Sequence, residues 1–182
     1  MAGRSIPPGW KRNPTAWPRR LLLAALALVG FGVSSYLAAF QLGLMPGVWD
    51  PFFESREVLE FLGIPDALAG ALAYAAEVVL SLVGGRDRWR SAPWTVLAFG
   101  CVILASALVS LGLILMQAFV VGAWCALCLV SAAVSLAVFF LGVEEPLAGL
   151  GHLARVRDRG GTAWEALWGR GAAREMGDER AG

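Results

Sequence analysis

The sequence predicts an all-α integral membrane protein, a bundle of four transmembrane helices with both termini in the cytoplasm. Hydrophobic residues make up 58% of the 182 residues and charged residues only 16%, a composition typical of membrane proteins rather than soluble domains. Four nearly uncharged runs each approach or exceed the ~20 residues that cross a bilayer. Basic residues are also divided very unevenly among the segments that flank these runs.

The four runs predict four helices, because backbone amides in lipid must form hydrogen bonds within their own segment. In chain order they are Leu21–Leu44, Ile64–Val83, Ala92–Met116 and Phe119–Val143. They define a membrane domain over residues 21–143. A basic cytoplasmic segment (1–20) precedes it, and an amphipathic, partly disordered cytoplasmic tail (144–182) follows it. The net charge of +1 gives no reason to expect a nucleic-acid partner.

The distribution of basic residues predicts the orientation. Fourteen of the 15 lie before the first run, between the second and third, or after the fourth, and only Arg56 lies between the first and second. Because cytoplasmic loops carry the excess of Lys and Arg, the segment 45–63 should face outward. Cys125 lies 18 residues before the cytoplasmic end of the fourth run, which places it near the extracytoplasmic face of the cell membrane.

A pair of cysteines is the strongest chemical signal. Cys125 and Cys128, in the string GAWCALCLV, form a C-x-x-C at the predicted start of the fourth helix. A helix N-terminus stabilises a thiolate, the form that attacks a disulfide or an electrophilic quinone. The pair is therefore predicted to be redox-active. The plainer interpretation is that two small side chains pack in a bundle.

Metal and haem chemistry are not expected at this pair. A zinc site needs about four ligands, and the remaining candidates, Cys101 and His152, lie far from the pair along the predicted helices. Covalent haem attachment needs His directly after the second cysteine, where the chain has Leu129. Cys101, about 13 Å deep by helical rise, is predicted to be a buried small apolar residue.

Three strings resemble the vitamin K epoxide reductase family over roughly residues 20–143. They are VSSYLAAFQL (33–42), REVLEFLGIPDALAGALAY (56–74) and WCALCLVS (124–131). The resemblance implies a thiol–quinone oxidoreductase whose quinone, menaquinone or ubiquinone, lies inside the bundle. It implies that Cys128 meets the quinone and that Cys125 exchanges with an outer relay served by a thioredoxin-like protein.

The outer segment departs from the family pattern because residues 45–63 contain no cysteine. Two interpretations follow. A separate thioredoxin-like protein delivers its thiols directly to Cys125, or the relay is lost and the chain is a non-catalytic membrane subunit that binds a partner protein.

The resemblance also implies positions for quinone binding. Asp66 stands where animal members have Asn, and Ala132 where they have Tyr; Phe52 and Phe53 would cap the pocket. Asp66 is equally suited to the positive end of the second helix, and the two phenylalanines to an interfacial anchor. The segment from Asp50 to Leu62 is predicted to form a turn and a short amphipathic helix.

Glu77 is the ionisable residue well inside a predicted span. Charges within a membrane are costly and usually face a partner or a cavity. Two interpretations are open: a structural one, in which Glu77 reaches the interface or pairs with Arg86 or Arg88, and one in which it handles protons.

Overall fold

The structure is a computed structural model that describes residues 6–45, 60–61, 64–121 and 124–169. A two-stranded antiparallel ladder, β1 (Glu60–Phe61) with β2 (Ile64–Pro65), places Phe61 opposite Ile64. The helices are α1 (Trp17–Gln41), α2 (Asp66–Leu82), α3 (Arg88–Ser91), α4 (Pro93–Met116), α5 (Ala126–Gly142), α6 (Glu144–Asp158) and α7 (Ala163–Leu167). A single π-helical turn, Gln117–Val121, extends α4.

Proline and glycine mark several helix ends. Pro18 and Pro93 lie in the first turns of α1 and α4, where the missing proline N–H would have no partner in any case. Gly43, with φ of 70°, follows α1 and donates its N–H to the carbonyl of Phe40 at 2.9 Å. This left-handed conformation favours glycine and satisfies a helix-end carbonyl.

Four helices form a ring: α1 packs against α2 and α5, and α4 packs against the same two helices. At the centre of one half lies a cluster of Leu23, Phe99, Ile103 and Val138, each at most 1% exposed. Large apolar side chains also cover the outward faces, among them Leu28, Leu104, Leu108 and Val109. Apolar residues on both faces are expected of helices surrounded by lipid.

Three helical stretches in the described residues are long and apolar enough to cross a membrane: Trp17–Gln41, Pro93–Val120 and Ala126–Asp158. The chain is therefore a multi-pass membrane protein. Helix α2, at 17 residues, rises about 25 Å, somewhat less than the ~30 Å hydrocarbon layer. The predicted second span thus corresponds to a real but shorter helix.

The end of the bundle opposite the cysteines buries charged side chains. Arg88 and Glu145 are fully buried and form an ion pair. Arg20, also fully buried, donates to the carbonyls of Ser81, Val83 and Gly84 at 2.7–2.8 Å. These carbonyls lie at the C-terminal end of α2, where the helix itself leaves them without donors. We call the cluster of Arg20, Arg88 and Glu145 the arginine end.

The predicted tail begins as an ordered part of the bundle. Helix α6 packs along the first half of α4, and a methyl group placed on Gly149 would come within 2.7 Å of Val96. Residues Ala163–Leu167 form a further short helix of this tail, α7. The fourth predicted span, Phe119–Val143, is not one continuous helix. Phe119 belongs to the π-helical turn at the end of α4, and α5 begins seven residues later, at Ala126.

Two sequence predictions are wrong. Cys101 is exposed on α4 rather than buried, because this face of the helix points out of the bundle alongside Leu104 and Leu108. The amphipathic helix predicted to include Phe61 is wrong at that residue, since Glu60–Phe61 pair with Ile64–Pro65. The rest of that prediction, over residues 46–59, lies outside the described residues.

Candidate active site

A cavity of about 830 Å³ lies between α1, α2, α4 and α5. Small side chains leave this space open, since helices that meet through alanine and glycine cannot fill it. Both Cys125 and Cys128 line it. The small residues in its wall include Ala67, Ala69, Gly70, Ala73, Ala76, Ala105, Gly112 and Ala132.

The two cysteines lie at the start of α5. Cys125 is the N-cap residue in an extended conformation, and its Sγ accepts a hydrogen bond from the backbone N–H of Cys128 at 3.3 Å. Cys125 is 3% exposed, whereas Cys128 is half-buried. A sulfur held against N–H groups at the positive end of a helix is stabilised as a thiolate. The local fold therefore favours thiol chemistry at this position.

Gln117 holds the backbone at Cys125 in place. The π-helical turn carries it past the end of α4, and its Oε1 accepts the backbone N–H of Cys125 at 3.1 Å. Gln117 is 1% exposed, so the bond is protected from water. Sequence reasoning missed this residue; the available signal was an uncharged polar side chain inside an otherwise apolar run.

Asp66 both starts α2 and lines the cavity. Its Oδ1 accepts the N–H of Ala67 at 2.8 Å and the side-chain amide of Gln41. The Gln41 Oε1 in turn accepts the same N–H of Ala67 at 3.2 Å. The carboxylate thus serves the first turn of α2, one of the two interpretations that the sequence left open, and it also lies in the cavity wall.

A hydroxyl network that the sequence analysis missed lies deeper in the same cavity. Tyr74 donates to the backbone carbonyl of Ser131 at 2.6 Å, and its oxygen lies 2.8 Å from the Ser135 hydroxyl. The Ser34 and Ser131 hydroxyls are 3.4 Å apart. The spacing of Ser131 and Ser135, one helical turn apart within an apolar run, is the signal that could have indicated it.

The predicted site residues are thus brought together only in part. Cys125, Cys128, Asp66 and Ala132 line one cavity. Phe52 and Phe53 lie outside the described residues. Within the part of the chain that the structure covers, no group of three or more His, Cys, Asp and Glu side chains is arranged to hold a metal ion.

Glu77 lies beside Ser106 of the cavity wall and does not reach the surface of the protein. It is fully buried, and within the described residues it forms no ion pair. Arg88 instead pairs with Glu145. Of the interpretations left open for Glu77, pairing with Arg86 or Arg88 does not occur among the described residues.

A family model describing the vitamin K epoxide reductase family matches residues 21–143. The chain belongs to the vitamin K epoxide reductase family. No curated protein matches the chain. The match begins and ends at the limits of the four predicted spans, and it includes every described residue of the cavity wall. Proteins of this family use quinones, so membership indicates a membrane thiol–disulfide/quinone oxidoreductase activity.

Proposed function

We propose that this member of the vitamin K epoxide reductase family is a thiol–quinone oxidoreductase in which Cys125 and Cys128 alternate between dithiol and disulfide. The observation that carries the proposal is that both cysteines line one cavity at the N-terminus of α5. A buried pair that only packed would not need to border 830 Å³ of space. The reaction would support disulfide formation or a related redox transfer.

The cavity fits a quinone by size and by chemistry. Ligand pockets commonly measure about 300–1,000 Å³ and combine apolar walls with a few polar groups. Here alanine and other apolar residues make up more than half of the wall, and polar side chains are spaced along it, from Asp66 and Gln117 to Tyr74 and five serines. Asp66, Ala132 and Ser131 would border the quinone ring. Phe52 and Phe53 remain a proposed cap.

A bound quinone supplies an acceptor for two electrons and two protons. The chain's own residues supply the rest. Cys128, which is half-buried in the cavity wall, is the sulfur proposed to face the quinone. Cys125, the N-cap, is proposed to exchange with an external thiol. The bond from Cys125 N–H to Gln117 holds the pair against the cavity.

The topology proposed with this activity has four spans within residues 21–143, including the shorter α2. Both termini are cytoplasmic, so the cysteines lie near the extracytoplasmic face, where thiols and disulfides exchange in bacteria. A separate thioredoxin-like protein is the proposed partner for Cys125. The alternative, a non-catalytic subunit that binds a partner protein, is favoured by the lack of cysteine in residues 45–63.

The test uses the full chain in lipid nanodiscs with a short-chain ubiquinone and dithiothreitol. Cys128→Ser should lower the rate of quinol formation at least ~10³-fold, because the reacting sulfur is lost. Cys101→Ser, an exposed cysteine on α4, is the matched control and should leave the rate unchanged. Equal rates for Cys128→Ser and the parent protein would contradict the proposal.

A second experiment separates the enzyme from the non-catalytic subunit. In cells that carry Cys128→Ser, Cys125 should accumulate in a mixed disulfide with its partner, since the resolving sulfur is absent. Mass spectrometry of the trapped species identifies that partner. If no mixed disulfide forms and Cys125→Ser/Cys128→Ser leaves cell growth intact while a membrane protein still co-purifies, the subunit interpretation is favoured.

A further inference from the structure

We propose that Glu77 donates and recovers a proton for the quinone in the cavity, with the Ser106 hydroxyl as the link between them. The inference rests on the proposed function and adds a proton-carrying group to it. Of these two residues, Ser106 lines the cavity and Glu77 does not. Glu77 therefore acts through Ser106 rather than by touching the quinone.

Three buried polar groups support this path. Glu77 on α2 is 0% exposed, and it forms no ion pair among the described residues. The Ser106 hydroxyl on α4 is also buried, and it is the uncharged group that interacts with the carboxyl. Tyr74, one turn from Glu77 on the same helix, lines the cavity. One side chain therefore separates the carboxyl from the space in which the quinone is proposed to bind.

The charged groups around Glu77 are engaged elsewhere. From α3, Arg88 donates to Glu145 of α6 and to the carbonyls of Leu80 and Val83. From α1, Arg20 donates to carbonyls at the end of α2. In the described part of the chain, α4 contributes only the uncharged Ser106 to the surroundings of the carboxyl.

Among the described residues, no cationic side chain pairs with the Glu77 carboxyl, and this favours the protonated, neutral form of the carboxyl. A carboxylate buried without a partner is far more costly than the neutral acid. Ionisable residues of this kind inside a membrane protein commonly belong to proton relays. A purely structural carboxyl would be expected to make the ion pair that Glu145 makes with Arg88.

Two S–H bonds at Cys125 and Cys128 break, one S–S bond forms, and two electrons pass to the quinone. The quinone takes up two protons, one of which comes from Glu77 through Ser106. Glu77 then recovers one proton of the two that the thiols release, so the sum remains quinone plus dithiol giving quinol plus disulfide. In the opposite direction Glu77 accepts the proton first.

The test compares Glu77→Gln, Glu77→Asp and Ser106→Ala with the full chain in nanodiscs, using a short-chain ubiquinone as the probe. General acid–base groups contribute about 10²–10⁴-fold to a rate. Glu77→Gln should lower kcat by ~10²-fold and change the pH profile, with quinone Kd and Tm unchanged. Glu77→Asp should recover part of the rate. Ser81→Ala, a buried serine one turn along α2 that does not line the cavity, should leave the pH profile unchanged.

An infrared difference spectrum supplies a readout that does not depend on turnover. Reduction and reoxidation of the quinone-loaded protein should change a carboxylic acid C=O band that is missing in Glu77→Gln. A kcat within twofold of the parent together with an unchanged band would overturn the inference. If Cys128→Ser is inactive while Glu77→Gln is fully active, only this inference fails; if Cys128→Ser is active, the proposed function itself fails.

Discussion

The two ends of the bundle bury polar groups in opposite ways. At the cysteine end, defined by Cys125, Cys128 and Gln117, hydrogen bonds between uncharged groups border an open cavity. At the arginine end, full charges fill the interior, and Arg88 and Glu145 are both 0% exposed. The difference indicates a division of roles: charges hold one end closed, while weaker contacts at the other end leave room for a reaction.

The largest predicted effect tests the arginine end. Arg88→Leu leaves Glu145 buried without its partner, and breaking a buried ion pair in this way costs about 3–5 kcal/mol. The free energy of unfolding, measured with denaturant in detergent micelles, should fall by that amount. The double variant Arg88→Leu/Glu145→Leu should recover much of the loss, because no uncompensated charge remains.

Arg157→Leu is the matched control for this experiment, since Arg157 is exposed on the same helix as Glu145. It should change the free energy of unfolding by less than about 0.5 kcal/mol. A loss below about 1 kcal/mol for Arg88→Leu would show that the buried pair does not hold this end together.

The next prediction tests the cysteine end. Gln117→Leu removes the acceptor of the Cys125 N–H, and a buried donor without a partner costs about 1–3 kcal/mol. The alkylation rate of Cys125 should rise as well, because the N-terminus of α5 is no longer held against α4. Leu115→Ala, at an exposed side chain near the same end of α4, should leave that alkylation rate unchanged. Equal alkylation rates for the parent and Gln117→Leu would contradict the role given to Gln117.

The last comparison, which includes the smallest expected effect, concerns the contact between α1 and Tyr74 of α2. On Gly30, a methyl group would lie 2.4 Å from the ring of Tyr74, so Gly30→Ala must displace the ring at a cost of about 1–3 kcal/mol. Gly32, two residues along α1, has no atom within 4 Å of the same position. Gly32→Ala should therefore raise the free energy of unfolding by about 0.5–1 kcal/mol, since glycine disfavours a helix.

Circular dichroism melts of both alanine variants measure this difference directly. The Gly30 variant should also lose the hydrogen bond from Tyr74 to Ser131, which is visible as a change in tyrosine absorbance. If Gly30→Ala and Gly32→Ala were equally stable, the position of the Tyr74 ring would not depend on the close approach of α1 at Gly30.

The sequence determined the helices and the position of the cysteine pair, because both are local properties. Apolar runs predicted α1 and α4 to within about four residues at each end, and C-x-x-C marked the start of α5. The strings around Gly63 and Trp124 resemble the family, and this resemblance implied the redox chemistry expected of the cysteine pair. None of this needed knowledge of how one helix is rotated against another.

Only the tertiary structure decided which side of each helix faces inward. Cys101 points outward, Glu77 is enclosed, and Arg88 pairs with a residue 57 positions away in the chain. In a helix that is apolar all around, hydrophobic periodicity carries little information on rotation, so packing against neighbours sets it. The cavity exists for the same reason: its walls come from four helices, and its volume depends on how closely their small residues approach.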